Sequence, residues 1–175
     1  SHLGTRNAGL AVWSEEKGWV REIHSISNTP FRTRFENDLR DMVGNIGIGC
    51  ISDSDPQPLL VRSHLGLYAI TTVGQINNAE ALVEKYFSEH GHQFMAMGSG
   101  KVNTTELVAA LINEGESFQD GIRHAQDVID GSMSILLMTS DGSLIAGRDR
   151  RGRLPNLVGR EIERFCVSFE GVSYH

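Results

Sequence analysis

Only two cysteines, Cys50 and Cys166, occur in 175 residues. That scarcity excludes a disulfide framework and makes a reducing compartment the expectation. No apolar run approaches the roughly 20 residues that a membrane-spanning helix requires. Ser1-His2-Leu3-Gly4 also lacks the charged-then-apolar pattern of a signal segment. Nor are the cations gathered into a patch, since 16 Lys and Arg are interspersed with 22 Asp and Glu for a formal charge of −6. Recognition of a phosphate backbone depends on clustered Lys and Arg, so nucleic acid is excluded as a partner. The expectation is a soluble, cytoplasmic protein that engages neither nucleic acid nor membrane. With four prolines against nineteen glycines, the chain favours tight turns and close backbone approaches over a disordered tract.

What is present is ordinary for a globular protein, 39% apolar and 22% charged residues, and the length suits one domain with its own core. Ala8 to Trp13 and Gly18 to Ile26 read as strands joined by a polar turn at Ser14 to Lys17. Phe35, Leu39 and Met42 at helical spacing predict a short helix ended by Gly44. Gly44 to Ile51 alternates small with β-branched residues, as a closely approached buried strand does. Ser52 to Pro58 is a polar loop, and Leu67 to Val73 is another strand, stopped by Gly74. Three helices follow. Asn77 with Glu80 and Asn103 with Glu106 have capping-box spacing, and the third helix opens at Ser117. Ser132 to Thr139 returns to strand, Asp141-Gly142 makes a hairpin turn to Ser143 to Gly147, and short strands follow at Val158 and at Phe165 to Phe169. Strands, then helices, then strands again point to an α+β layered fold.

The residues alone carry little chemistry. Gly47-x-Gly49 is followed by neither a helix start nor a Lys-Ser/Thr pair, so a phosphate cradle is not indicated. His90-Gly91-His92 lacks a third metal ligand at convincing spacing and reads as a solvated helix-end loop. Cys50 is either a nucleophile displayed at a strand end or a small buried hydrophobe. Ser1, if a true chain terminus, could serve as nucleophile with its own α-amine as base. The basic run Arg148 to Arg153, broken by Asp149 and Gly152, reads as a solvated turn.

Several segments in order nevertheless resemble one family. Leu3-Gly4-Thr5-Arg6-Asn7-Ala8-Gly9-Leu10-Ala11, Gly44-Asn45-Ile46-Gly47-Ile48-Gly49 and Gln57-Pro58-Leu59 are similar to the early strands of class II glutamine amidotransferase domains. Val73-Gly74-Gln75-Ile76-Asn77-Asn78 is similar to an Asn-Gly-x-Leu-x-Asn stretch, and Thr105-Glu106 to the end of an Asp-Thr-Glu. Ala146-Gly147-Arg148-Asp149 with Gly152, Pro155 and Gly159, then Ser168-Phe169-Glu170, complete the series. The variety it resembles is the one carried by amidophosphoribosyltransferases. The resemblance implies an N-terminal-nucleophile (Ntn) hydrolase fold, a four-layer αββα sandwich, over residues 1–175. It further implies glutamine hydrolysis by an N-terminal Cys, with ammonia passed to a phosphoribosyltransferase domain for phosphoribosylamine formation in purine synthesis. No cofactor or metal is implied, and assembly into homo-oligomers is.

The same resemblance marks departures. The family's Cys nucleophile would lie upstream of Ser1, on a strand preceding the Arg6 segment. Ser52 stands where the family has the Arg that fixes the glutamine carboxylate. Val73 replaces the Asn that supplies one oxyanion donor, while Gly74 keeps the backbone donor. Thr104 replaces the Asp that pairs with the glutamine ammonium. Loss of one oxyanion donor alone costs about 10²–10³ in rate, and charge-assisted contacts are roughly twice as strong as neutral ones. The expectation is a glutaminase-incompetent chain. It would be either an altered enzyme half or a non-catalytic module that docks on, or regulates, a phosphoribosyltransferase partner. On a third reading Ser52, Asp53, Asp55 and Thr104 line a pocket for a small polar or cationic molecule.

Overall fold

The computed structural model describes residues 7–44, 46–52, 55–90, 102–149, 157–161 and 164–168, the last two stretches by their backbone alone. The elements run β1 (Asn7–Ser14), β2 (Gly18–Ser25), α1 (Phe31–Phe35), α2 (Asp38–Asp41), β3 (Ile46–Ser52), β4 (Leu59–Ser63) and β5 (Gly66–Ile76). Then follow α3 (Ala79–His90), α4 (Thr104–Ile112), α5 (Phe118–Val128), β6 (Gly131–Thr139), β7 (Leu144–Arg148), β8 (Leu157–Glu161) and β9 (Arg164–Ser168). The strands form sheets ordered β2-β1-β3, β4-β5-β6-β7 and β8-β9. No helix among the described residues is long and apolar enough to cross a membrane.

The chain divides into two compact units. The first runs to Thr71 and takes in Leu137–Leu144. In it β1 pairs antiparallel with both β2 and β3, Ala11 facing Arg21 on one side and Ile48 on the other. The alternation of a pleated strand sends Ala11, Trp13, Trp19 and Ile48 to one face. There Ala11 and Ile48 close a core with Ala69 of β5 and Met138 of β6, flanked by Trp13 and Trp19. The opposite face carries His24, whose ring meets Phe35 of α1 edge-on at 4.8 Å. Within this unit the order is therefore helix, sheet, sheet.

The second unit spans Thr72–Leu136 and resumes at Ile145. Asn77 donates its backbone N–H to Asp130 O, and the backbones at Gly74 and Ser132 nearly touch, so β5 and β6 run antiparallel. In this unit β5 is tied to α4 by a buried contact between the hydroxyls of Thr72 and Thr105 at 2.8 Å. Residues 133–139 of β6 and 68–72 of β5 are buried without interruption. Continuous burial of this kind means that both faces of a strand are covered. Gly121 lets α5 close on α4, because a Cβ there would lie 2.1 Å from Ile112 O.

The expected strands stand, and the structure corrects four details. The helix expected over Phe35 to Met42 is two short ones, α1 and α2. The Gly44 to Ile51 strand lies at a sheet edge, with Gly47 and Gly49 exposed. β4 was not anticipated. Finally, β5 does not stop at Gly74 but continues to Ile76.

Candidate functional site

In the first unit, Ser52 closes β3 opposite Asn7. Its hydroxyl accepts the backbone N–H of Asp55 at 3.2 Å, forming a tight turn directly after the strand. The turn draws Asp55 inward until it is only 4% exposed, and none of the described residues donates to its Oδ1. A buried carboxylate oxygen without a donor is costly and places negative charge beside the strand end. Cys50 registers that charge. Burial first, and the Asp55 carboxylate second, push its thiol up to about 11. A thiol so protonated near neutrality is not an activated nucleophile, and the half-buried Cys50 sits nearer the second of the two readings. Asp53, like Ser1 and Arg6, lies outside the described residues.

The Gln57-Pro58-Leu59 and Ala8-Gly9-Leu10 motifs prove to be two sides of one contact. A Cβ on Gly9 would lie 1.7 Å from Gln57 O, so the backbone at Gln57 can cross β1 only over a glycine. Arg21 from β2 donates through Nε to the carbonyl of Pro58 and secures the same crossing.

In the second unit, Val73 and Gly74 lie near the end of β5, with Val73 half-buried and Gly74 exposed. Gly74 has φ +148°, and a Cβ there would stand 1.9 Å from Ser132 O. Glycine is thus required at 74 on steric grounds alone. The Val73 side chain offers no hydrogen-bonding group. Thr104 is the first residue of α4, half-buried and preceded by its cap Asn103, whose Oδ1 accepts Glu106 N–H at 3.0 Å. The Thr72–Thr105 contact brings Val73 and Thr104 to either side of one joint. Of the four expected site residues, Val73, Gly74 and Thr104 are therefore gathered in one unit, while Ser52 belongs to the other.

A family model described as a glutamine amidotransferase domain matches residues 45–170. The chain belongs to that family. The amidotransferase domain is similar to the amidophosphoribosyltransferase of Methanocaldococcus jannaschii, with 31% identity over 179 residues. The match takes in 97% of this chain and 36% of that relative. The chain thus spans about a third of the length of the curated relative it matches. Its fold is shared with the glutamine phosphoribosylpyrophosphate amidotransferase of B. subtilis, solved with ADP and GMP. The TM-score is 0.77 at 23% identity over 94% of this chain and 35% of that one. The expected Ntn-hydrolase amidotransferase fold is the fold observed.

The sequence offers Asp55 as a member of a polar loop and, with Ser52, Asp53 and Thr104, as a lining residue for a small polar or cationic molecule, and its burial is visible in neither. Its burial follows from the Ser52 turn, and no feature of the residue string distinguishes it from Asp53.

Proposed function

We propose that this domain is the amidotransferase half of an amidophosphoribosyltransferase-related protein whose glutamine pocket has been altered. On this reading it acts as a non-catalytic module on a phosphoribosyltransferase domain or subunit in purine synthesis. Asp55 carries the proposal. Where the family resemblance calls for a cation to receive the glutamine α-carboxylate, this chain has the neutral Ser52 hydroxyl, with a buried carboxylate bonded to it through the Asp55 backbone. Like charges at short range in a desolvated setting repel, so the turn at Ser52 disfavours a carboxylate. The substitutions at Val73 and Thr104 act in the same direction. They remove a side-chain oxyanion donor and the anion for the substrate ammonium.

The opposing reading, a working glutaminase, draws on Gly74, the glycine to which the family resemblance assigns the backbone oxyanion donor. The full-length protein separates the two. Glutamine should yield no glutamate, whereas free ammonia should support transfer to phosphoribosyl pyrophosphate. Steady release of glutamate above a no-enzyme control would sink the proposal.

A further inference from the structure

The end of α3 and the turn after α4 bring the neighbours Glu89 and His90 together with Glu114, which lies more than twenty residues further along the chain. Glu89 and His90 close α3, and Glu114 follows α4 by two residues. One ligand atom from each, a carboxylate oxygen or an imidazole nitrogen, lies within 4.8 Å of the other two. His124, on α5, is hydrogen-bonded through Nε2 to Glu114 Oε2. We propose that Glu89, His90 and Glu114 form a binding site for a divalent transition-metal ion of the zinc class, with His124 positioning the Glu114 carboxylate.

The donor set has the right chemistry. One imidazole and two carboxylates suit zinc and its neighbours, and three protein ligands leave a fourth position for water. Ligand atoms about 2.0–2.2 Å from a common ion lie roughly 3.5 Å from one another, so closing from 4.8 Å asks only for small rotamer changes in exposed side chains. The ring of His90 is already oriented. Its Nδ1 faces Tyr86 O at 3.3 Å, and it stacks on the Tyr86 ring at 4.4 Å. Donation from Nδ1–H to that carbonyl leaves the lone pair on Nε2, the outer-sphere arrangement typical of metal-binding histidines. The His124–Glu114 contact does the equivalent for the carboxylate. Lys85, a competing cation, stands 4.0 Å from Glu89 as an exposed pair that water screens. The His90-Gly91-His92 motif thus finds its further ligands in space rather than in sequence, and His92 lies outside the described residues.

A second cluster, Glu22, His24 and Asp38 in the first unit, is the internal control. Zn²⁺ titrated calorimetrically into the tag-free chain should bind one ion per chain. His90→Ala and Glu114→Gln should each weaken binding at least about tenfold, and His124→Gln by about 10- to 100-fold, the usual effect of losing an outer-sphere partner. His24→Ala should leave it unchanged. Co²⁺ added to the wild-type chain should broaden the amide resonances around Tyr86, His90 and Glu114, a readout that needs no variant to fold. Absence of stoichiometric binding, broadening centred on His24, or undiminished affinity in the His90→Ala/Glu114→Gln double variant would each overturn the site.

Discussion

Thr72 on β5 and Thr105 on α4 meet through their hydroxyls at 2.8 Å in a part of the second unit where Thr105 is wholly buried. Valine is nearly the same shape as threonine but has no hydroxyl. Thr105→Val should therefore cost about 0.5–1.5 kcal/mol, the usual net contribution of one intramolecular hydrogen bond. Urea denaturation checks the figure. A change within about 0.3 kcal/mol would mean that the contact contributes nothing net to the joint.

Gly74→Ala should be far more damaging. The new methyl would meet Ser132 O at 1.9 Å, at a φ that L-residues rarely adopt. Backbone strain and overpacking each cost roughly 1–3 kcal/mol, so a loss of roughly 2–6 kcal/mol, or failure to fold, is expected. A well-folded Gly74→Ala chain of wild-type stability would show that the β5–β6 approach is looser than described.

Cys50 should be sluggish toward iodoacetamide at neutral pH. A thiol at about 11 in place of 9.0 holds roughly a hundredfold less thiolate. In a Cys166→Ser background the alkylation rate against pH should still be climbing above pH 10. Asp55→Asn should speed the reaction only in part, because burial is the larger cause. The sign for stability follows from the same shift. The folded thiol titrates above the unfolded one, so this contribution is complete below pH 9 and is lost as pH rises toward 11. Cys50→Ala should flatten that fall.

The pocket departures lend themselves to reversal. A triple variant, Ser52→Arg, Val73→Asn and Thr104→Asp, returns both charged anchors and the oxyanion side chain that the family resemblance calls for. Glutamine binding should be undetectable by calorimetry in the wild-type domain and measurable in the variant. Each restored charge-assisted contact is expected to supply about 1.5–3 kcal/mol. If the triple variant is folded yet equally blind to glutamine, the three substitutions are not what prevents binding.

Much of the architecture was legible because periodicity and caps are local signals. The caps at Asn103 and Ser117 form as their spacing implies, each side chain accepting an N–H three residues on. β4 escaped notice because five residues behind Pro56 and Pro58 look like loop until β5 supplies a partner. Gly74 misled for a related reason. A glycine in a strand reads as a terminus, and only the carbonyl of Ser132 shows that it is a near-collision instead. The amide before α3 was also misjudged. Asn77 was expected to cap the helix, yet it is Asn78 whose side chain forms long-range bonds, to Val128 O and Asp130 N–H. At the site, substitutions were visible residue by residue, whereas the burial of Asp55 depends on a turn that no local pattern announces.

That side chain of Asn78 has a kinetic corollary. It clasps the chain where α3 begins and again where α5 gives way to β6, fifty and fifty-two residues later. Everything between is a closed excursion that leaves the sheet and returns through one neck. Drawing such ends together costs about (3/2)RT ln n, roughly 3.5 kcal/mol for fifty flexible residues. The neck should therefore lock late, after the helices have shortened the path between its ends. Asn78→Ala would then quicken the opening of the excursion, seen as faster amide exchange across α3 to α5, while barely slowing its assembly.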